Sequence, residues 1–344
     1  MATPRKFASG GQPKERVART AQLSLGAFQR EAYKTSQLTR GSSPQHMIAP
    51  ILGLASETGS ILDIYKKYLR DAIDLKANRE FLKEELGDLL WYIATVATAY
   101  DLRLEAIARN NLVRTKDRYP KDTRKALAAL PVFDRRCLGQ ERFPRKVTIA
   151  FTETRRSGKV IAELRLIAAQ PNPFPKGQIT ILEDGEEKKI GFAIGMRLGD
   201  ELTDNSRRAD DYRYHDAVHL GFMAVLGWSP IMRSLLGVRR RSNPVVNESE
   251  DGARAKYAEE GLSAVLAALS VRRLGFSGEI AVDGDSIGVA KAVTANLEAR
   301  HLPGWAWRRA ISQGFSAMHA LGENKGGYLL ADVDKRTLTY KKSL

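Results

Sequence analysis

Two acids three residues apart open the chemistry of this chain. In "REFLKEELGDLLWY" (79–92) Glu85 and Asp88 share one helix face, with Glu84 about 100° around the same turn. Just upstream, "SETGSILDIYKK" (56–67) supplies Glu57, with Asp63 further along. If the two segments form an antiparallel hairpin, Glu57, Glu85 and Asp88 point into one space. Carboxylates gathered on apolar helices are costly unless a cation neutralises them. Oxygen donors suit Mg²⁺, with Mn²⁺ as the alternative. A metal held in this way can bind a triphosphate and offset charge developing on phosphorus. The bland alternative is a solvated acidic face, since ExxD spacings are common. Against it, "LLWYIATVATAY" follows directly, so the acids sit at the mouth of an apolar helix. Downstream, in "ARNNLVRTKDRYP" (108–120), Asn111, Arg114 and Arg118 recur at helical spacing and could hold phosphate oxygens.

A second group lies in "DDYRYHDAVHLGF" (210–222). His215 and His219 are four apart and share a face, with Asp216 between them. A carboxylate from "NESED" (Glu248, Glu250 or Asp251) or from "AEEG" (Glu259 or Glu260) would complete a transition-metal site. A pair of polar core or interface histidines is the commoner meaning of HxxxH. The Arg239–Arg241 run in "GVRRRSNP" could touch phosphates, although such runs are more often solvated turns.

These residues need elements to position them. From Leu23 to about Arg118 apolar residues recur three and four apart, which predicts four helices, over 22–36, 47–70, 77–100 and 103–118. Packed antiparallel, they make an all-α bundle. Residues 1–21 read as a flexible basic arm and 121–145 as a basic, proline-containing linker with one short helix. Residues 146–344 read as an α+β domain. It has a small antiparallel sheet from 146–154, 158–169 and a hairpin over 178–195 with a D-G turn. Helices follow over 209–227, 249–273, 285–299 and 304–321, and a closing hairpin begins at "GGYLLAD".

The whole chain sets bounds. Its 344 residues suffice for two domains, and its net charge of +15 attracts nucleotides or other polyanions. One cysteine, Cys137, allows neither an intramolecular disulfide nor a cysteine zinc site, which fits a cytoplasmic location. There is no secretory-type apolar segment near the start and no run that would span a membrane. Nucleic acid is a possible partner for the basic surface, but three acids gathered at one spot give a pure polyanion binder nothing.

"GLASETGSILDIYKK", "EELGDLLWYIA" and "NLVRTKDRYP", in this order and at these distances, resemble the MazG-like all-α nucleoside triphosphate pyrophosphohydrolases. "FQREAYKTS" resembles that family's first helix, so the likeness covers about residues 22–120. The remainder resembles an extension fused to some MazG-like proteins. The resemblance implies Mg²⁺-dependent cleavage of a nucleoside triphosphate to the monophosphate and pyrophosphate, by a homodimer or higher homo-oligomer. It implies Glu57, Glu85 and Asp88 as metal ligands, Asp63 as a possible substitute ligand, and Lys67, Asn111, Arg114 and Arg118 on the substrate. It also implies in-line attack by a water beside the metal, with Glu84 or Glu85 taking its proton. The family usually shows EExxE where this chain has Ser56, Glu57 and Ser60, so one expected carboxylate is replaced by Ser60. Weaker metal affinity is the expected consequence. A nucleotide-binding regulator that has lost catalysis is the alternative.

A fainter likeness is internal. "RAKYAEEGLSAVLAALS" (254–270) echoes "REFLKEELGDLLWYIAT" (79–95), with Ser263 standing where Asp88 stands. Chance similarity between two amphipathic helices is the competing explanation.

Overall fold

A computed structural model describes residues 23–37, 44–71, 74, 76, 78–171, 179–183, 186–190, 194–207 and 209–344. The expected arm at 1–21 and the D-G turn at 184–185 lie outside them. The chain divides into two compact units, residues 1–114 and 115–344.

The first unit is all helical. It consists of α1 (Leu25–Thr35), α2 (Pro44–Asp71), α3 (Arg79–Ala99) and the start of α4 (Leu104–Arg118). Ser24 caps α1, its hydroxyl accepting the Ala27 N–H at 3.1 Å. Ala32, Ala94 and Leu104 form a small buried core, with Leu25, Phe28 and Trp91 packed on it. Gln29 fastens the α3–α4 corner. Its amide donates to Leu102 O at 2.8 Å, and its carbonyl accepts the Leu104 N–H at 2.8 Å. The α2–α3 contact is close at Gly53, where a Cβ would stand 2.2 Å from the Tyr92 ring. Only glycine admits the ring there, and this approach sets the spacing of the two helices that carry the acids.

The second unit is α+β. Its five-stranded sheet has the order β5-β2-β1-β6-β7, from β1 (Lys146–Arg156), β2 (Lys159–Gln170), β5 (Arg197–Leu202), β6 (Gly326–Asp332) and β7 (Thr337–Lys341). Every pairing is antiparallel. A separate hairpin pairs β3 (Ile179–Glu183) with β4 (Glu186–Ile190). The β5 strand was not expected. Its sequence, RLGDEL, lacks the β-branched and aromatic residues that mark strands, and pairing to β2 overrides that.

The helical group is more broken than its periodicity suggests. The helix expected over 209–227 is a 3₁₀ turn (Tyr212–Tyr214), α6 (Asp216–Gly221) and a π-turn (Phe222–Leu226) that stops at Gly227. The helix expected over 249–273 is α8 (Pro244–Ser249) and α9 (Ala253–Ser270), with Asp251 between them held by Arg240. Then come α10 (Gly284–Val293), a 3₁₀ turn (Glu298–His301) and α11 (Gly304–Asn324). The aromatic centre of the core is Phe222, Trp228 and Trp307, with ring centroids 5.6, 5.8 and 6.3 Å apart. Gly221 and Gly314 let α6 lie directly on α11, since a Cβ on Gly314 would meet Val218 Cα at 2.8 Å.

Residues 121–145, expected as a linker, contribute to this core. A short α5 (Thr123–Ala128) leads to buried Leu130 and Phe143. Asp134 is buried, accepts the Phe143 N–H at 2.8 Å and pairs with Arg233 at 3.2 Å. The prolines and charges that suggest a solvated tether serve a packed loop instead.

Candidate functional site

In the first unit α2 supplies Glu57 and α3 supplies Glu85 and Asp88. Each offers a carboxylate oxygen within 4.8 Å of the others. Glu57 is half-buried, Asp88 exposed and Glu85 buried. Glu85 Oε2 has no hydrogen-bond partner among the described residues. The adjacent Glu57 carboxyl, burial, and the negative charges of Asp88 and Glu84 all raise the pKa of the Glu85 carboxyl above its ordinary value. A buried, unsatisfied oxygen facing two further carboxylates fits a hard divalent cation. Such an ion supplies the missing partner and relieves the repulsion.

The other expected residues are placed as follows. Ser60, one turn beyond Glu57, is half-buried and outside the group. Asp63, expected as a substitute ligand, lies outside the group. It pairs with Lys66 at 2.7 Å and Lys67 at 2.8 Å, which lowers its carboxyl to about 2. That pairing also occupies Lys67, expected on the substrate. Glu84 is exposed beside Glu85. Asn111 and Arg114 are exposed on α4. Arg118 belongs to the second unit, where it lines a cavity of about 460 Å³ with Tyr119, Asp283, Gly284 and Arg309.

The second unit holds another convergent group, His215, Asp216 and His219, again with ligand atoms within 4.8 Å. Glu260 on α9 adjoins it, 3.4 Å from His219 Nε2. Glu250 lies outside the group and accepts the Glu298 N–H at 2.9 Å. The sequence offered Glu259 only as one of five acids that could join the histidines. This buried residue lies 2.9 Å from His219 Nδ1. The only hint was its place beside Glu260 on a helix with apolar neighbours. Within the Arg239–Arg241 run, Arg240 is not a free phosphate contact, whereas Arg241 is exposed. Arg240 is buried between Asp251 at 2.7 Å and Glu298 at 2.8 Å.

No helix among the described residues is long and apolar enough to cross a membrane. No solved structure matches the chain. One relative, the Gene 37 protein of Mycobacterium phage L5, is 38% identical over 69 residues, which is 20% of this chain. The chain spans 60% of that relative's length. The family model of the MazG C-terminal domain matches residues 171–344, half of the chain. With the N-terminal helices and the α+β region that follows them, this makes the chain a MazG-like protein with a C-terminal extension, and it belongs to the MazG C-terminal domain family.

Proposed function

We propose that the first unit hydrolyses nucleoside triphosphates, ribo or deoxy, to the monophosphate and pyrophosphate with Mg²⁺, or Mn²⁺ in its place. The observation behind this reading is the grouping of Glu57, Glu85 and Asp88 around the unpartnered Glu85 Oε2. These three residues would hold the ion. When bound, it offsets phosphate charge and makes water easier to deprotonate. Exposed Glu84, next to the group, is the acceptor for the proton that the attacking water loses, since Glu85 is committed to the cation. Asn111 and Arg114, both exposed, are free to meet phosphate oxygens. Lys67 is the weakest of the expected substrate contacts, because Asp63 already holds its ammonium.

The working form in this reading is a cytoplasmic homodimer or larger homo-oligomer. The first unit leaves Leu62, Leu69, Leu86 and Leu90 exposed, which a second copy would cover. A nucleotide-binding regulator without turnover is the second reading, favoured by Ser60 where the family has a carboxylate. Nucleic-acid binding through the +15 charge has less support, because Arg240, the centre of its main basic run, is buried between Asp251 and Glu298.

The test is pyrophosphate release from a panel of NTPs and dNTPs with Mg²⁺ or Mn²⁺. Release by wild type that disappears in Asp88→Ala supports the hydrolase. Absence in wild type with recovery in Ser60→Glu supports the regulator. No release from wild type or from either variant would end the hydrolase reading.

A further inference from the structure

We propose that His215, Asp216, His219 and Glu260 form a binding site for a divalent transition-metal ion of the Zn²⁺ class within the second unit. This site is separate from the carboxylate group of the first unit, and its donors are different.

The first argument is which nitrogens are free. His215 Nδ1 lies 2.9 Å from the Tyr212 carbonyl oxygen. A carbonyl only accepts, so Nδ1 carries the hydrogen and Nε2 keeps the lone pair. His219 Nδ1 lies 2.9 Å from Glu259 Oε1. Glu259 also receives the Ser229 hydroxyl at 2.6 Å and the Ile231 N–H at 2.8 Å, so it is held as a carboxylate and takes the imidazole proton too. An Nδ1–H to a carboxylate or a backbone carbonyl is how metal-binding histidines are oriented, and both histidines here have one. His219 has 0% exposure, and its Nε2 has no hydrogen-bond partner among the described residues. A buried imidazole nitrogen aimed at acids and left unsatisfied needs a ligand to account for it.

The second argument is spacing. Glu260 Oε2 lies 3.4 Å from His219 Nε2 and 3.6 Å from His215 Nε2, too long and too poorly aligned for a hydrogen bond. Donors about 2.1 Å from a tetrahedral ion stand roughly 3.4 Å from one another. Two imidazoles with carboxylates suit Zn²⁺ or its neighbours rather than Mg²⁺, which takes oxygen.

The third argument is rigidity with access. The Tyr212 ring stacks on His215, centroids 4.6 Å apart and 5° from parallel. The α6 helix is fixed against α11 at Gly221 and Gly314, and it runs into a π-turn, a distortion frequent at functional sites. The Glu260 side chain is 41% exposed, so the site opens to solvent on one side, where a water or an anion could complete the coordination. Glu260 also occupies, in the internal echo, the position of Glu85.

Without a metal, a proton is the competitor for His219 Nε2. Metal binding would displace this proton to solvent.

The experiment uses tag-free full-length protein carrying Glu57→Gln and Asp88→Asn, so that the first unit contributes no metal. After chelator treatment it is titrated with Co²⁺, read by visible d–d absorption, with Zn²⁺ and Mg²⁺ as competitors. Expected are intense bands saturating at one ion per chain, displaced by Zn²⁺ and not by Mg²⁺. His215→Gln and Glu260→Gln, both at partly exposed positions, should keep the fold by circular dichroism and weaken binding at least about tenfold. Glu259→Gln should weaken it about 10- to 100-fold. Absent bands, or bands unchanged in His215→Gln and Glu260→Gln, would overturn the proposal. So would a ¹⁵N spectrum in which His219 carries both protons and does not respond to added Zn²⁺.

Discussion

His219 Nδ1 and Glu259 Oε1 stand 2.9 Å apart, and both side chains are wholly excluded from solvent. Glu259 is also the joint between α9, which carries it, and the start of α7 (Pro230–Leu235), through Ser229 and the Ile231 N–H. Glu259→Ala would leave a buried imidazole, a hydroxyl and an N–H without an acceptor. Removing one partner of such a pair costs about 3–5 kcal/mol. Urea unfolding of the metal-free protein should show that loss, while Glu259→Gln, which keeps an acceptor, should lose less.

Glu85→Gln separates stability from metal binding in the first unit. The glutamine removes a charge that Glu57 and Asp88 repel, so the metal-free protein should melt a few degrees higher. Wild type should gain stability with added Mg²⁺ and Glu85→Gln should gain little, because binding to the folded state alone is what raises a melting temperature. Melts with and without Mg²⁺ check both.

Gly53→Ala tests the α2–α3 approach. Alanine is the better helix former, but its Cβ would fall 2.2 Å from the Tyr92 ring. Overpacking of this kind costs about 1–3 kcal/mol, more than the propensity gain. A lower urea midpoint is expected, together with weaker Mg²⁺ binding as Glu57 moves away from Glu85.

Arg240→Met should be costly and Arg241→Ala should not, although the two are adjacent. Arg240 neutralises Asp251, which has 0% exposure, and its loss should destabilise by about 3–5 kcal/mol. Arg241 is exposed, and its removal should change stability by no more than about 0.5 kcal/mol. Chemical denaturation of both variants makes the comparison.

Asp283 gives the second unit an acid-sensitive contribution. It caps α10, accepting the Ser286 N–H at 2.8 Å and its hydroxyl at 2.7 Å, and it pairs with Arg273. Burial works against its charge, but the Ser286 N–H, the Arg273 guanidinium and the Ser286 hydroxyl together lower its pKa. A carboxyl lowered in the folded state adds stability above its unfolded pKa of about 4. That stability is lost as pH falls through the lower folded value. Asp283→Asn keeps the cap and should flatten this acid limb. Asp283→Ala should also lose about 1 kcal/mol at neutral pH. Urea titrations across pH resolve the two effects.

Much of the fold was legible because it is local. The four helices of the first unit follow from the recurrence of apolar residues, and observed ends lie within a few residues of the expected ones. The grouping of Glu85 with Asp88, and of His215 with His219, follows from the helical repeat alone. Glu57 could be added because a hairpin between α2 and α3 is the simplest way to pack two long amphipathic helices.

What the sequence by itself determined is the set of helix faces and the residue types placed on them. What only the tertiary structure decided is which charges those faces meet. Asp63 has the right type for a ligand, yet Lys66 and Lys67 take it first. Arg240 reads as a basic loop residue until Asp251 and Glu298 enclose it. Asp134 and Phe143 read as linker until the core closes over them. The single helix expected over 209–227 breaks where α6 is pressed onto α11. Glu259 and Glu260 are neighbours on one helix, but one is fully buried against His219 Nδ1 and the other opens to solvent. Burial and the partners at each atom are set by long-range packing, and one-dimensional periodicity does not contain them.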